Sequence, residues 1–326
     1  MGRYLVTGTA GFIGWKVAEL LLDRGDSVVG IDNLNDAYDV RLKEWRLRSL
    51  RGREGFRFVR SDITDREAVD EVFRSSDRFD AVINLAARAG VRQSVSNPWI
   101  YMSTNSTGTL NLLDGCVRHD VSKFVLASTS SLYGTTNPRP CVETANTDHP
   151  LSPYAASKKA AEAIAYTYHY LQGIDVSILR YFTVYGPAGR PDMSLFRFVQ
   201  WISEDRPVVL FGDGRQERDF TYVEDVARGT IAAIRPLGYE IINLGSDEPI
   251  VLLDAIRAVE ARTGHQARIE MQPRHPADVD ATWANIDKAR AMLDWSPRTD
   301  FAQGVTNLVE WYNANREWTS AISTEG

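Results

Sequence analysis

The chain has 326 residues, 44% of them hydrophobic and 25% charged, which is average globular usage and enough for two packed units. Its net charge of −6 argues against a nucleic-acid partner, because such a partner would require a basic face. Since the sequence has only two separate cysteines, Cys116 and Cys141, and no apolar run of membrane-spanning length, we expect a soluble, cytoplasmic protein without disulfides, a metal site or a membrane partner.

Short β-branched runs alternate with longer helical patterns through the first half of the chain. The predicted strands are residues 4–6, 27–31, 56–59, 81–85, 123–127 and 176–179. The predicted helices between them include residues 13–24, 66–74, 107–119 and 154–171. This alternation predicts an α/β fold in which a parallel sheet is doubly wound, with helices on both faces.

The character of the sequence changes after about residue 180. Residues 185–191 and 211–214 are rich in glycine and proline, which predicts turns, whereas residues 222–234 and 240–244 again resemble a helix and a strand. We therefore predict a first domain of residues 1–180, to which residues 221–245 return, and a smaller α/β domain of residues 181–220 and 246–326. The smaller domain would cover the carboxyl edge of the sheet, where ligands bind in such folds.

A glycine motif follows the first predicted strand and opens the first helix. Gly8 permits a tight turn, Gly11 lets the backbone approach a diphosphate, and Gly14 allows the helix to pack closely on the strand. Phe12 and Ile13 lie in the same turn, where the backbone N–H groups of the helix face the negative charge. Glycines alone also occur in ordinary turns, but the order of strand, glycines and helix predicts a Rossmann-type dinucleotide site.

Two carboxylates at the ends of the next strands indicate the cofactor. Asp32 can accept hydrogen bonds from both ribose hydroxyls and would repel a 2′-phosphate, so NAD is favoured over NADP. Arg41 and Lys43 lie nearby in the sequence and keep NADP open as an alternative. Asp62, followed by Ile63, suits the amino group of adenine, although an aspartate in this position also commonly caps a helix.

A catalytic pair is predicted from Tyr154 and Lys158, which lie four residues apart and therefore share one face of a helix. The nearby ammonium of Lys158 favours the phenolate, which makes Tyr154 a usable general base near neutral pH. Thr129 lies in a hydroxyl-rich segment, residues 128–131, after an earlier strand. The Tyr-x-x-x-Lys pattern is common on exposed helices, and it becomes specific through its combination with the glycine motif and Thr129.

With these motifs the sequence resembles the extended short-chain dehydrogenases/reductases that act on nucleotide sugars, over about residues 3–300. Within that family it is most similar to the UDP-glucuronate 4-epimerases, on the evidence of residues 30–40, 89–94, 182–187 and 189–193. The resemblance implies a tightly held NAD, a general base at Tyr154, a 4-keto sugar intermediate and a sugar 4-oxygen positioned by Thr129. It also implies a homodimer that pairs the helices at residues 107–119 and 154–171.

The resemblance assigns further residues to the two sides of the site. On the cofactor side it places Arg92 near the phosphates. It also implies that the NAD cleft is lined by Asn33, Asn35, Leu85, Ala86, Ala87, Asn105 and Phe182. On the side of a UDP-sugar substrate, the diphosphate and ribose are assigned to Arg218, Arg274 and Asp278. We further expect Ser130, Ser131, Thr183 and Arg190 to hold the carboxylate of the sugar. The alternative for Arg190 is that it only braces the turn around Pro187 and Pro191.

Three alternatives stay open on the sequence alone. One is a 4-epimerase of neutral UDP-sugars, and another is a 4,6-dehydratase or decarboxylase that shares the 4-keto intermediate. Relatives with the latter activities carry acidic residues where Ser130 and Ser131 stand, and hydroxyls are poor proton-transfer groups, so epimerisation is favoured. The third, an NAD-binding protein without catalysis, is disfavoured because Thr129, Tyr154 and Lys158 are all present.

Overall fold

The computed structural model describes residues 1–274 and 279–324. Its strands are numbered in chain order. They are β1 Arg3–Thr7, β2 Ser27–Asp32, β3 Phe56–Arg60, β4 Ala81–Asn84, β5 Lys123–Thr129, β6 Asp175–Tyr181, β7 Thr183–Tyr185, β8 Val208–Phe211, β9 Glu217–Tyr222, β10 Tyr239–Leu244, β11 Pro249–Val251 and β12 Ile269–Gln272.

The helices lie between and after these strands. They are α1 Phe12–Asp23, α2 Val40–Leu50, α3 Arg66–Arg74, α4 Val91–Ser96, α5 Pro98–Tyr101, α6 Gly108–Arg118, α7 Pro153–Gln172, α8 Ser194–Ser203, α9 Val223–Ala232, α10 Leu252–Thr263, α11 Asp287–Leu293, α12 Phe301–Ala314 and α13 Arg316–Thr319. A π-helix, Met102–Thr107, leads into α6, and a 3₁₀ turn, Ser130–Tyr133, follows β5. In the described part of the chain, no helix is both long and apolar enough to cross a membrane.

Seven parallel strands form the central sheet, in the order β10-β6-β5-β4-β1-β2-β3. β1 pairs with β2 on one side and with β4 on the other, so that Leu5 lies opposite both Val29 and Val82. The strand order changes direction between β1 and β4, which creates the crevice at the carboxyl edge where dinucleotides bind in such folds. The predicted doubly wound, Rossmann-type α/β fold is confirmed.

One edge strand of this sheet comes from late in the chain. After β6 the chain leaves the sheet, forms β7, β8 and β9, and then returns as α9 and β10. β10 pairs in parallel with β6, with Leu244 opposite Tyr181. The remaining strands form two small sheets, in the orders β11-β9-β7 and β12-β8, which pack with α8, α10 and α12 in a smaller unit. The domain boundaries stay a prediction, because the chain crosses between the two units more than once.

The two units share an apolar core. Val6, Val125 and Leu179 of the central sheet belong to the same buried cluster as Leu293 and Trp295 from the C-terminal region. A second cluster covers the opposite face of the sheet, and a third fills the smaller unit. Packing therefore holds the C-terminal region against the sheet, in addition to the chain connections.

Every predicted strand and helix is present, with ends within two residues of those predicted. The sequence does not predict α2, although Asp39 caps it by accepting a hydrogen bond from the N–H of Arg41 at 3.0 Å. The buried positions of α2 include Lys43 and Arg46, so the apolar period that indicates a helix is interrupted by cations. These buried cations lie close to the site described next.

Candidate active site

A cavity of about 590 Å³ lies between the carboxyl edge of the central sheet and the smaller unit. This volume is within the range of cavities that bind small molecules. Among the described residues, all those predicted for the site line the cavity except Asn105 and Arg274. The cavity has a cofactor side, formed by the ends of β1 to β4, and a substrate side, formed by β7, β8, β9 and α8.

The glycine loop between β1 and α1 forms one wall of the cofactor side. Gly8 has a φ of +69°, a conformation that favours glycine. A Cβ at Gly8 would lie 2.8 Å from the backbone of Ala86, and a Cβ at Gly14 would lie 2.2 Å from the carbonyl oxygen of Gly8. Thr7 Oγ1 accepts hydrogen bonds from the N–H groups of Leu85 and Ala86 at 3.2 and 3.1 Å, which joins the loop to the segment after β4. The N-terminus of α1 is thereby open to an anion.

Asp32 lies at the end of β2, with 8% of its surface exposed. Its Oδ2 accepts a hydrogen bond from the N–H of Ala10 at 3.1 Å, and its Oδ1 accepts one from the N–H of Leu34 at 2.8 Å. The carboxylate is therefore held at the cavity wall with lone pairs left to accept from ribose hydroxyls.

Asp62 follows β3 and is joined to the same wall. Its Oδ1 accepts hydrogen bonds from the N–H and the hydroxyl of Thr64 at 2.9 and 2.8 Å, and its Oδ2 accepts one from Asn33 at 2.7 Å. Burial raises the pKa of Asp62, but these bonds outweigh it and hold the pKa below its usual value. The next helix is capped by Asp65, which accepts from the N–H of Ala68 at 3.0 Å. The alternative in which Asp62 caps this helix is therefore wrong, and the adenine role stays a prediction.

Lys43 and Arg88, two cations without a predicted role in the site, lie beside Asn35. Lys43 and Arg88 each donate a hydrogen bond to Asn35 Oδ1 at 3.1 Å. Lys43 Nζ also lies 4.0 Å from Asp32 Oδ1. Burial lowers the pKa of Lys43, and the charge of Asp32 opposes that effect. Lys43 is thus engaged by Asp32 and Asn35, and Arg41 lies in an exposed ion pair, so neither offers a ready site for a 2′-phosphate.

Arg92 points to the other side of the cavity. Its guanidinium lies over the ring of Phe211, 4.1 Å from the centroid, in a cation–π contact with β8 of the smaller unit. Gly90, with a φ of +127°, turns the chain between Arg88 and Arg92. Arg88 hydrogen-bonds to the cofactor side through Asn35. The phosphate role of Arg92 stays a prediction.

Tyr154 lies in the first turn of α7, which Ser152 caps. Burial raises the pKa of Tyr154, and two neighbours oppose this effect: a hydrogen bond with Thr129 and the positive charge of Arg190. The sequence predicts that Lys158 stabilises the phenolate electrostatically. In the structure the charge of Arg190 lowers the pKa of the phenol, and the stabilising role of Lys158 stays a prediction.

Short hydroxyl side chains surround the Thr129 end of β5. Thr129 Oγ1 donates a hydrogen bond to Ser131 Oγ and accepts one from the N–H of Ser131, both at 3.1 Å. Ser130 lies between them in the 3₁₀ turn, and Thr183 opens β7; both also line the cavity. The substrate side therefore offers several neutral hydrogen-bond donors close to Tyr154.

Lys158 is 3% exposed and lies one helical turn beyond Tyr154. Burial lowers the pKa of Lys158 to about 8, and the charge of Glu162 opposes that effect. Glu162 accepts a hydrogen bond from Ser128 Oγ at 2.5 Å and forms a buried ion pair with Arg180 at 2.8 Å. Lys158 is therefore mainly an ammonium at neutral pH, with a neutralised ion pair behind it.

Arg190 is fixed by a bidentate ion pair with Asp192, at 3.1 Å from Nε to Oδ1 and 2.5 Å from Nη2 to Oδ2. Nη2 also donates to the carbonyl oxygen of Ala89 at 3.3 Å. Burial opposes the charge of Arg190, but Asp192 outweighs it and raises the pKa of the guanidinium. In turn Arg190 lowers the pKa of Asp192 despite burial, so both groups are ionised at neutral pH. The pair places a fixed cation beside Tyr154.

The sequence as a whole matches known proteins along almost its full length. A family model described as GDP-mannose 4,6 dehydratase matches residues 5–308. The UDP-glucuronate 4-epimerase of Thermodesulfobacterium geofontis is 54% identical over 323 residues, which cover 99% of both chains. This chain belongs to the extended short-chain dehydrogenases/reductases.

Solved structures of extended short-chain dehydrogenases/reductases share this fold. The UDP-glucuronic acid 4-epimerase of Bacillus cereus, in complex with UDP-glucuronic acid and NAD, is 36% identical and superposes with a TM-score of 0.90, covering 96% of this chain and 99% of that chain. The UDP-glucose 4-epimerase of Thermotoga maritima, with UDP-glucose, is 30% identical with a TM-score of 0.89, covering 96% and 99%. Acidic and neutral sugars are therefore bound on one fold, so individual residues must decide the substrate.

Asn105 does not line the cavity as predicted, because it is 1% exposed and lies behind the wall. Its side chain accepts a hydrogen bond from the N–H of Arg88 at 2.9 Å and donates one to the carbonyl oxygen of Arg88 at 3.0 Å. A further bond at 2.9 Å joins it to Ser157 Oγ on α7. Asn105 is thus a positioning residue for the segment that carries Arg88.

Of the residues predicted to bind the diphosphate and ribose, Arg218 lines the cavity and Arg274 does not. Arg218 lines the cavity from β9, and its Nη1 donates to the carbonyl oxygen of Glu217 at 2.7 Å. Arg274 lies outside the cavity wall, where it pairs with Asp280, so its predicted contact with the diphosphate is not supported. Asp278 lies outside the described residues. The diphosphate role of Arg218 stays a prediction.

The cofactor side fits a bound NAD. The glycine loop has no space for additional Cβ atoms, the Asp32 carboxylate faces the cavity, and within the described residues the lining hydroxyl of Ser61 is buried without a hydrogen-bond partner. No group of three or more His, Cys, Asp or Glu side chains able to hold a metal ion occurs in residues 1–274 and 279–324. The cofactor side is therefore suited to a dinucleotide.

Proposed function

We propose that this protein is an NAD-dependent 4-epimerase that converts UDP-glucuronate to UDP-galacturonate through a 4-keto intermediate. The observation that carries this proposal is the placement of Tyr154 between Thr129 and the Arg190–Asp192 ion pair, in the cavity that also contains the glycine loop. The names of the relatives support it, because one is a UDP-glucuronate 4-epimerase and another binds UDP-glucuronic acid and NAD.

The reaction requires a reversible proton transfer at the 4-hydroxyl of the sugar. Bound NAD would supply the reversible hydride chemistry at C4. Tyr154 accepts the proton of the 4-hydroxyl, while the hydroxyl of Thr129 hydrogen-bonds to the 4-oxygen. The ammonium of Lys158 and the guanidinium of Arg190 stabilise the phenolate that forms. After the 4-keto sugar rotates in the cavity and presents its other face, Tyr154 returns the proton to the 4-oxygen and completes the epimerisation.

The carboxylates of the cavity support epimerisation over dehydration. Among the described lining residues these carboxylates are Asp32, Asp62 and Asp192. The first two lie on the cofactor side, and Asp192 is held ionised by Arg190. The two serines after Thr129 offer hydroxyls only, which are poor general acids and bases. The matching family model is described as a dehydratase, but none of the described lining carboxylates is suited to eliminate water across C5 and C6.

The cation of Arg190 supports an acidic sugar. Once C4 is a ketone, glucuronate is a β-keto acid that loses carbon dioxide readily, so its carboxylate must be held in one orientation. A guanidinium and short hydroxyls form strong hydrogen bonds with a carboxylate. Arg190 with Ser130, Ser131 and Thr183 supplies this combination on the substrate side.

Incubation of the purified protein with UDP-glucuronate, without added NAD, tests the proposed function. We expect UDP-galacturonate to form, with no release of carbon dioxide and no lag that added NAD abolishes. Nuclear magnetic resonance of the products identifies both outcomes, and UDP-glucose in a parallel reaction is the control substrate. Conversion of UDP-glucose alone, or a decarboxylated product, would contradict the proposal.

Assembly and location complete the proposed function. We infer a homodimer, because α6, α7 and the preceding π-helix expose the apolar side chains of Met102, Leu110, Val117, Tyr166 and Tyr170. Apolar patches of this kind mark protein interfaces, and pairing two copies would bury them in a four-helix contact. We also infer a cytoplasmic location, which two buried cysteines without a disulfide support.

A further inference from the structure

Arg46, on α2, is completely buried, and its guanidinium donates hydrogen bonds to four neutral groups. Nη1 donates to the carbonyl oxygen of Ala10 at 3.0 Å and to the hydroxyl of Tyr38 at 2.7 Å. Nε and Nη2 donate to the carbonyl oxygen of Ala188 at 3.0 and 2.6 Å, and Nη2 also reaches that of Gly189 at 3.3 Å. One side chain therefore joins three segments that are far apart in the sequence.

The first of these segments is the glycine loop. Ala10 lies between Gly8 and Gly11, and its N–H already donates to Asp32 Oδ2 at 3.1 Å. The carboxylate assigned to the ribose thus holds the N–H of Ala10, while Arg46 holds its carbonyl oxygen. The orientation of the loop toward a diphosphate depends on both contacts.

The second segment is the turn that carries the substrate-side cation. Ala188 and Gly189 directly precede Arg190, and Ala188 has a φ of +54°, which is unfavourable for alanine. The hydrogen bonds from Arg46 offset this strain, because they bind the carbonyl oxygens of the same turn. The position of Arg190 beside Tyr154 therefore depends on α2 as well as on Asp192.

Within the described residues, the charge of Arg46 is not balanced by an ion pair. Among the described residues no carboxylate lies within ion-pair distance of its guanidinium, although a buried cation is normally paired. The carbonyl oxygens that accept its hydrogen bonds offset part of the cost of burying this charge. A diphosphate at the glycine loop would bring negative charge to the loop residue Ala10, whose carbonyl oxygen Arg46 binds.

We propose that Arg46 is a positioning residue that fastens the NAD-binding loop to the turn carrying Arg190, with its buried charge balanced by the diphosphate of NAD. One contact network thereby aligns cofactor and sugar, so that occupancy of the loop strengthens the substrate side. The substrate part of this inference rests on the proposed function, whereas the cofactor part does not.

Three variants separate this role from general stabilisation. Arg46→Met removes the charge and the hydrogen bonds while keeping an unbranched side chain. Arg46→Lys keeps the charge, but one ammonium cannot bind Ala10 and Ala188 in the way that a planar fork does. Leu50→Ala is the matched control, because Leu50 is also completely buried on α2 and contacts the apolar core instead of the loop.

We expect Arg46→Met to weaken NAD binding by about tenfold to hundredfold, as the loss of charged hydrogen bonds implies. At saturating NAD it should also raise the KM for UDP-glucuronate. Arg46→Lys should recover part of the NAD affinity through its charge and keep the raised KM. Leu50→Ala should lower the melting temperature and leave both constants close to wild type. Fluorescence titration of NAD, thermal unfolding and steady-state kinetics provide these readouts.

Equal loss of NAD affinity in Leu50→Ala and Arg46→Met would overturn the inference, as would wild-type affinity and KM in Arg46→Met. Hydrogen exchange of the wild-type protein covers the case in which the variants do not fold. Addition of NAD should then protect residues 186–192 together with residues 8–14, and protection of the loop alone would contradict the coupling. Failure of the wild type to convert UDP-glucuronate would refute the proposed function and leave the NAD titration decisive for Arg46.

Discussion

At the scale of single residues, the reactivity of Tyr154 is the balance of burial against two neighbours. Burial disfavours the phenolate, whereas the hydrogen bond with Thr129 and the charge of Arg190 favour it. Each neighbour comes from a different segment, so the base depends on tertiary structure more than on its own helix. Three substitutions separate these contributions.

Tyr154→Phe should nearly abolish turnover and leave bound NAD in place, because it removes only the phenolic oxygen that accepts the proton. General acid–base groups contribute about 10²- to 10⁴-fold to rate, and we expect a loss of that order. Product formation and NAD content of the purified variant measure the two effects. Tyr101→Phe is the control, since its ring also lines the cavity and lies edge-on to Tyr154, with centroids 6.2 Å apart. Near-normal epimerisation by Tyr154→Phe would disprove the assigned base.

Thr129→Val should shift the acidic limb of the pH profile of kcat/KM to higher pH. The hydrogen bond with Thr129 lowers the pKa of Tyr154, so its removal raises that pKa further and delays formation of the phenolate. Ser130→Ala, in the adjacent position of the cavity wall, should leave the position of this limb unchanged. An unshifted limb in Thr129→Val would show that its hydroxyl does not act on the phenol.

Arg190→Ala should lower kcat/KM for UDP-glucuronate by about tenfold to hundredfold, since a charged hydrogen bond contributes about 1.5–3 kcal/mol. The loss of its charge beside Tyr154 should affect UDP-glucose too, but only in the smaller part common to both substrates. Asp192→Asn is the control, because it weakens the ion pair that fixes Arg190 and keeps the guanidinium of Arg190 in place. Kinetics with both UDP-sugars test this, and equal losses would limit Arg190 to the phenolate or the fold and contradict its contact with the sugar carboxylate.

The sequence reveals the residues whose chemistry depends on local spacing. The glycine loop, Asp32 and the pair of Tyr154 and Lys158 are recognisable because each lies at a strand end or within one helical turn. Arg88 and Arg46 are not recognisable in this way. Arg88 bonds to a residue 53 positions away and Arg46 to one 142 positions away, and such contacts form only when the chain has folded.

At the scale of elements, the exposed faces of α6 and α7 carry the inferred dimer. Leu110→Glu and Tyr166→Glu together should convert a dimer to a monomer, because both side chains are exposed in one protomer, at 39% and 51%, and a carboxylate is costly to bury. Light scattering at micromolar concentration measures the mass. Val142→Glu is the control, with a similarly exposed apolar side chain outside these helices. A monomeric wild type would refute the dimer itself.

The elements were predictable where burial leaves a simple pattern. The buried parallel strands appear as continuous apolar runs, so their positions follow from the sequence. α2 is the exception, because its inner face binds a loop and a turn through Lys43 and Arg46 in place of apolar packing. The helix that the apolar pattern fails to predict is therefore the one that contacts the cofactor loop.

At the scale of the whole molecule, the shared core predicts one cooperative thermal transition for both units. Leu293 and Trp295 pack in the same cluster as the central strands, so neither unit can lose its structure without exposing the other. Differential scanning calorimetry of the protein should show a single peak. NAD at about a hundredfold excess over its Kd should stabilise the fold by about 2.7 kcal/mol and move this peak as a whole to higher temperature. Two separated peaks, or a shift of only one component, would contradict this coupling.

The late position of β10 has a consequence for folding during synthesis. Until residue 244 has left the ribosome, β6 is an unpaired edge of the growing sheet, with its row of backbone N–H and C=O groups open to other chains. Residues 1–185 can assemble six of the seven strands in that interval, although the sheet is complete only after the smaller unit has begun to form. The nascent chain therefore exposes an unpaired strand edge, prone to aggregation, while some 60 residues are translated. This takes about 3–12 s at ordinary elongation rates, and chaperone binding is most useful during that time.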